Sequence, residues 1–376
     1  MTSPTLAPAF LVTTAESLAR TVGELRAASC FALDTESNSL YAYHYRVCLI
    51  QASTPGADYL IDTLALPDQS LLADLVAEPG IEVTIHAAEN DVLLLNHDFG
   101  FRFEKLFDTL WAARILGWPQ VGLAAILQET FGVQVEKRLQ RTDWGRRPLT
   151  PEQLRYGQID THYLLPLAEQ QTAELKACDR WKEAQEVFAE ITGIVWEGKE
   201  TPGIWRLSGV WDMEPRQQAV LKALFDWREA TASQRNVPPF KVLSNDALLA
   251  LSFGQPETTT QLRAVPSLPR SLSEGVERAI LRAVHEGKRQ PPPQPPERNH
   301  GRPPSPEVVA RYDRLRAWRR RTAEARGVEP DVVMTNQVLM GIARAHPRDL
   351  AELEATHLLG PWRLQTYGPT ILHSYT

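Results

Sequence analysis

The sequence predicts an α/β domain with a mixed sheet and flanking helices, followed by two small all-α domains. Three observations support this fold class. Short β-rich runs are followed by helical patterns in the N-terminal half, no strand pattern recurs after about residue 205, and two C-terminal segments repeat each other. A chain of 376 residues is also too long for one ordinary core, so two or three domains are expected.

Four short runs rich in β-forming residues indicate strands, namely CFALDT (30–35), RVCLIQAS (46–53), DYLIDT (58–63) and EVTIHA (82–87). The first three are separated by connections short enough for antiparallel neighbours. Helical patterns then follow in DVLLLNHDF, LWAARILG and GLAAILQETFG. Residues 150–195 have a helical pattern throughout, beginning at Thr-Pro-Glu. This order predicts a meander of three strands followed by β–α units.

The C-terminal half contains an internal repeat. Two segments align without a gap at an offset of 91 residues and are identical at 11 of 25 positions, namely LFDWREATASQRNVPPFKVLSNDAL (224–248) and LRAWRRRTAEARGVEPDVVMTNQVL (315–339). The identical pairs include Trp227/Trp318, Arg228/Arg319, Val237/Val328 and Asn245/Asn336. A repeat of this length indicates two copies of one helical module. The stretch between them, QPPPQPPERNHGRPPSP (290–306), contains eight prolines and predicts an extended, semi-rigid linker.

Composition limits the possible functions. The net charge of −6 excludes a polycation, so a nucleic-acid site must be a local patch. The three cysteines, Cys30, Cys48 and Cys178, are far apart and form neither a zinc-binding spacing nor a disulfide framework. The sequence has no apolar run of about 18 residues and no basic-then-apolar N-terminus. We therefore expect a soluble cytoplasmic protein with no membrane contact.

Acidic residues follow or end several predicted elements. Asp34 and Glu36 are two positions apart on a strand, so they point to the same face, about 6.5–7 Å apart. Asp91 opens the helix after VTIHA, and Asp160 shares a helical face with Tyr156, four residues earlier. Singly, each acid is typical of a cap or a solvated position. Together they suit hard divalent cations, which prefer oxygen ligands.

The motifs DTE, HAAENDV and YGQID, with Tyr four residues before Asp, resemble the tyrosine-containing subgroup of the DEDD exonuclease superfamily. Within it, the chain resembles ribonuclease D in YRVCLIQ, FDTLWAARILG and VEKRLQRTDWGRRPLTPEQLRYGQIDTHYLLPL, and the repeated modules resemble HRDC domains. The resemblance implies a ribonuclease H-like exonuclease domain over 1–205. It also implies HRDC domains over 208–289 and 305–376, joined by a linker over 290–304.

The resemblance implies five catalytic residues: Asp34, Glu36, Asp91, Tyr156 and Asp160. The four acids would bind two divalent metal ions, Mg²⁺ or Mn²⁺. The first aspartate would bridge both ions, Glu36 and Asp160 would complete one site, and Asp91 would serve the other. Tyr156 would orient the attacking water or help to deprotonate it. Asp108 and His86, by contrast, are typical of a helix cap and of packing.

Basic residues predict the RNA contacts. Lys137 and Arg138 precede the last catalytic helix, and Arg319 and Arg320 lie in RYDRLRAWRRRTAEAR (311–326), which has seven arginines and two acids. A solvated face is the alternative for both segments.

The activity implied by the resemblance is 3′–5′ exoribonuclease action that releases nucleoside 5′-monophosphates. The expected substrates are the 3′ ends of tRNA precursors or other structured small RNAs, and no obligate protein partner is evident. A 3′–5′ DNA exonuclease and a catalytically silent RNA-binding protein are the alternatives, because motifs do not report a contact to the ribose 2′-hydroxyl.

Overall fold

The computed structural model describes residues 6–198, 203–269, 271–295 and 304–375. The chain divides into two compact units. One unit combines the N-terminal domain, apart from the segment Asn38–Arg46, with the second repeat module. The other combines Asn38–Arg46 with the first repeat module. Residues 296–303 of the predicted linker lie outside the described residues.

The described residues of the N-terminal domain form a six-stranded sheet in the order β1-β4-β3-β2-β5-β6. The strands are β1 Phe10–Val12, β2 Cys30–Ser37, β3 Val47–Ser53, β4 Asp58–Ile61, β5 Glu82–Ile85 and β6 Leu106–Asp108. Strands β2, β3 and β4 are antiparallel neighbours, whereas β1 joins β4, β5 joins β2 and β6 joins β5 in parallel. The predicted meander and mixed sheet are confirmed. The short edge strands β1 and β6 were not predicted, because three residues are too few to show an alternating pattern.

Eight α-helices flank the sheet in the described part of this domain: α1 Ala15–Ala28, α2 Ser70–Val76, α3 Glu89–Phe99, α4 Thr109–Leu116, α5 Leu123–Phe131, α6 Pro151–His162, α7 Leu164–Ala177 and α8 Trp181–Thr192. Helix α6 begins where the sequence indicates, because Thr150 and Gln153 form a reciprocal capping box around Pro151. The prediction of one helical stretch over 150–195 is wrong in detail. The chain leaves the helix at Tyr163 and again between α7 and α8.

The first repeat module contains α9 Pro215–Arg235, α10 Pro239–Val242, α11 Asn245–Gly254, α12 Thr259–Arg263 and α13 Glu274–Arg289. The segment Asn38–Arg46, which follows the end of β2, packs in the same unit. There the His44 backbone N–H donates to Asn236 Oδ1 at 3.1 Å, and the Lys241 ammonium lies 4.4 Å from the centre of the Tyr41 ring.

The second module contains α14 Pro306–Arg326, α15 Pro330–Val333, α16 Asn336–Ala345, α17 Leu350–Ala355 and α18 Pro361–Tyr375. Its first three helices have the same lengths as α9, α10 and α11 and keep the 91-residue offset. The repeated arginine and asparagine explain part of this identity. Arg228 donates to Asn245 Oδ1 at 2.7 Å, and Arg319 donates to Asn336 Oδ1 at 2.9 Å. Each pair ties the long helix of its module to the third helix.

The second module packs directly on the N-terminal domain. Arg326 at the end of α14 donates to both carboxylate oxygens of Glu183 on α8, at 2.9 and 2.5 Å. Arg114 on α4 pairs with Asp331 at 2.6 Å. The side chain of Val332 is buried in the same apolar cluster as the residues that cover the sheet. The module is therefore part of this unit.

The described ranges contain no helix that is both long and apolar enough to cross a membrane.

Candidate active site

Three carboxylates converge where β2 meets α6. Asp34 and Glu36 lie on β2, and Asp160 lies on α6. Their carboxylate oxygens can be chosen so that all three lie within 4.8 Å of one another. The shared face of Asp34 and Glu36 follows from strand alternation. Asp160 joins this pair only through tertiary packing, because α6 packs against β2, β3 and β4.

A glycine allows α6 to approach the sheet closely at this point. A Cβ atom at Gly157 would lie 3.3 Å from the Gln51 side chain and 3.5 Å from that of Leu49, both on β3. Further along the same face, Ser53 Oγ lies 2.7 Å from Thr161 Oγ1. These contacts set the height of the helix above the strand and therefore the position of Asp160.

Asp91 is next to this cluster but outside the group of three. It lies in the first turn of α3, whose N-cap is Ala88, so Asp91 is not the N-cap itself. Its Oδ1 atom accepts a hydrogen bond from the hydroxyl of Thr35, the residue between Asp34 and Glu36. Thr35 is therefore a site residue that the sequence analysis did not single out, although its position inside the DTE motif is a signal for it.

Positive charge nearby would stabilise the ionised forms of the four buried acids. Burial, followed by the charges of Asp160 and Asp91, raises the pKa of Glu36 to about 9. Burial, followed by the charges of Asp91, Asp160 and Glu36, holds the pKa of Asp34 well above its ordinary value. Burial also raises the pKa values of Asp91 and Asp160 to about 7. Such a group ionises fully at neutral pH only with compensating cations, which this oxygen donor set fits.

Tyr156 is buried beside these acids. Its ring packs against Trp144, with ring centroids 6.0 Å apart. Burial, followed by the charges of Asp160, Glu36 and Asp34, raises the pKa of the Tyr156 hydroxyl far above its ordinary value. Burial and these charges favour the protonated phenol, which donates a hydrogen bond to Asp160.

Asp108 and His86, which the sequence assigns to a helix cap and to packing, have structural roles. Asp108 is the N-cap of α4 and accepts from the backbone N–H groups of Leu110 and Trp111 at 2.8 and 3.1 Å, as predicted. His86 Nδ1 lies 2.9 Å from Thr109 Oγ1, and burial lowers the pKa of His86 to about 4.

Polar contacts that the sequence analysis did not identify hold the elements around the site. Asp58 on β4 accepts from Gln158 Nε2 at 2.7 Å and lies 2.9 Å from His162 Nδ1, and both partners are on α6. Arg147 donates to Asp62 at 2.6 and 2.7 Å. The partners are 85 to 104 residues apart, so no local spacing reveals them.

The predicted RNA contacts lie on two separate elements. Lys137 and Arg138 are exposed on a 3₁₀ helix before α6, and Arg138 pairs with Glu136 at 2.6 Å. On α14, Arg320 is exposed, whereas Arg319 makes its hydrogen bonds within the module. RNA contact by these four residues stays a prediction, and Arg319 already has a structural role.

Comparison with known proteins agrees with this architecture. The family described as 3′-5′ exonuclease matches residues 9–176, and the HRDC domain matches residues 217–283 and 309–375. The structure of RNase D from Escherichia coli has the same fold. It aligns with a TM-score of 0.70 and 23% identity over 98% of both chains.

Two curated relatives are informative. Ribonuclease D from Jannaschia sp. is 30% identical over 342 residues, which cover 88% of this chain and 88% of that protein. Protein RRP6-like 3 from Arabidopsis thaliana is 36% identical over 258 residues. That alignment covers 62% of this chain but only 29% of the plant protein, so this chain corresponds to less than a third of that relative's length.

The mixed sheet, the converging acids and the paired modules define a 3′–5′ exonuclease with two HRDC domains. The similarity over 88% of this chain and of the Jannaschia protein then identifies the family. The chain belongs to the ribonuclease D family of 3′–5′ exoribonucleases.

Proposed function

We propose that this exoribonuclease binds two divalent cations, Mg²⁺ or Mn²⁺, through Asp34, Glu36, Asp91 and Asp160. The convergence of Asp34, Glu36 and Asp160 carries this proposal, because their oxygens lie within 4.8 Å of one another. The raised pKa values of all four carboxyl groups support it, since cations nearby stabilise the ionised forms. Bound cations would supply electrostatic stabilisation for the charge that develops at the reacting phosphate.

The chain's own groups would position the reactants. We assign to Tyr156 the role of orienting the attacking water or helping to deprotonate it, because its hydroxyl is buried beside Asp160 on the same face of α6. Asp160, on the same helical face, and Glu36, on the strand opposite, would restrict where that water can lie. Hydrolysis would release one nucleoside 5′-monophosphate at each step from the RNA 3′ end.

The proposed substrates are the 3′ ends of tRNA precursors or other structured small RNAs. The similarity to ribonuclease D supports RNA as the substrate class. Exposed Lys137, Arg138 and Arg320 are the proposed phosphate contacts, and Arg319 would contribute mainly by holding its module together.

The proposed domain limits are 1–205 for the exonuclease domain, 208–289 and 305–376 for the HRDC domains, and 290–304 for the linker. The two HRDC matches, 217–283 and 309–375, fall inside these limits.

Asp34→Asn tests the site. The variant should bind RNA but lose hydrolysis at saturating Mg²⁺ or Mn²⁺, because one of the converging carboxylates becomes a neutral amide. The assay uses 3′-labelled and 5′-labelled RNA and DNA strands of one sequence, with each metal or with EDTA. Asp68→Asn is a matched control, since Asp68 caps an exposed turn through Ser70.

Stepwise shortening of the 5′-labelled RNA by the wild type and by Asp68→Asn, but not by Asp34→Asn, is the expected pattern. Near-normal turnover by Asp34→Asn would refute the cation site. Faster shortening of the DNA strand would instead support a DNA exonuclease.

A further inference from the structure

The amide of Gln51, in the middle of β3, is fully buried, and neither its Nε2 nor its Oε1 atom has a hydrogen-bond partner in the described chain. An unpaired buried polar group destabilises the folded state, because it has lost its hydrogen bonds to water. Buried amides are therefore almost always paired, and an exception requires an explanation. Ser53, two residues further along the same face, does have a partner in Thr161.

The location of Gln51 suggests what its partner is. In the register of the sheet, Gln51 is directly opposite Asp34. Directly opposed residues on antiparallel strands point to the same face, with Cβ atoms about 4.5–5.5 Å apart. Helix α6 closes over the amide, because a Cβ atom at Gly157 would lie 3.3 Å from Gln51 Nε2. The amide is therefore enclosed between the strand that carries Asp34 and the helix that carries Asp160.

We infer that Gln51 is a positioning residue of the active site, and that its amide donates a hydrogen bond to the carboxylate of Asp34 in the cation-loaded enzyme. An ionised carboxylate only accepts hydrogen bonds, and the Gln51 NH₂ group offers two donors. The inference rests on the proposed cation site. Groups that fix the orientation of a metal-binding side chain typically change metal affinity or activity by about 10–100-fold.

Gln51→Met tests this inference, because methionine has a similar shape and no amide. The measurements on the full-length protein are the melting temperature without cations and the affinity for Mn²⁺ by isothermal titration calorimetry. We expect a melting temperature equal to or above that of the wild type, because an unpaired buried amide is removed. We also expect about 10–100-fold weaker Mn²⁺ binding.

Gln171→Met is the matched control. Gln171 on α7 is also fully buried and has an unpaired Oε1 atom, but its Nε2 atom donates to the Thr109 carbonyl at 2.9 Å. Its replacement removes that hydrogen bond, so this variant should melt at a lower temperature and keep wild-type Mn²⁺ affinity.

Gln51→Leu provides a second test if Gln51→Met does not fold. Leucine also lacks the amide and leaves the Gly157 contact of α6 in place, so Mn²⁺ affinity should again fall. Wild-type Mn²⁺ affinity in the folded variants would overturn the inference and leave Gln51 as a core residue. Absence of Mn²⁺ binding by the wild-type protein would instead overturn the proposed cation site, and the inference with it.

Discussion

Arg326→Met measures how strongly the second HRDC module is held on the exonuclease domain. Arg326 donates to both carboxylate oxygens of Glu183 and also to the hydroxyl of Tyr367. The Glu183 side chain is only 1% exposed and that of Arg326 is 17% exposed, so solvent screens this ion pair weakly. Methionine keeps much of the aliphatic packing of arginine but leaves a buried carboxylate without its partner.

Breaking a buried ion pair from one side costs about 3–5 kcal/mol, because the remaining charge stays desolvated. We therefore expect the free energy of unfolding of Arg326→Met to fall by about that amount in urea titrations at pH 7, followed by tryptophan fluorescence. The double variant Arg326→Met/Glu183→Leu should recover most of the loss, since it replaces both charges by apolar groups.

Arg320→Met is the control from the same helix. Arg320 is 73% exposed and approaches Glu324 only to 3.6 Å, so its replacement should cost about 0–1 kcal/mol. If Arg326→Met costs no more than Arg320→Met, the buried ion pair does not hold the module. If the double variant is as unstable as Arg326→Met, the cost comes from lost packing and not from the unpaired carboxylate.

Three further predictions follow from the site and its supports. Tyr156→Phe should keep the fold and lower kcat by about 10²–10⁴-fold in single-turnover assays at saturating metal, and a wild-type rate would remove the hydroxyl from the mechanism. Burial alone would raise the pKa of Asp62, but hydrogen bonds and charge from Arg147 lower it overall. Asp62→Asn should therefore be less stable than the wild type at pH 7, and the difference should shrink as pH falls below about 4 in urea titrations. Arg138→Gln should weaken RNA binding and make its salt dependence shallower, and an unchanged slope would assign Arg138 to a solvated face.

Local sequence was sufficient for several elements of this protein. The shared face of Asp34 and Glu36 is predictable, because side chains alternate along a strand whatever surrounds it. The start of α6 is predictable because Thr150, Pro151 and Gln153 satisfy or remove its first free N–H groups. The modules are predictable because Arg228 and Asn245 recur 91 residues later as Arg319 and Asn336. The structure adds that each pair is in contact.

Tertiary structure decided what depends on residues distant in sequence. The neighbours of Gln51, namely Asp34 across the sheet and Gly157 on α6, are set by strand register and helix crossing. Likewise, the proline-rich linker indicated a separate second module but not its docking through Arg326 and Glu183. The sequence by itself determined which side chains are available for catalysis, because local periodicity and capping act over a few residues. Only the packed structure decided which of them are buried, paired or left without a partner, since burial and charge compensation depend on contacts made across the whole unit.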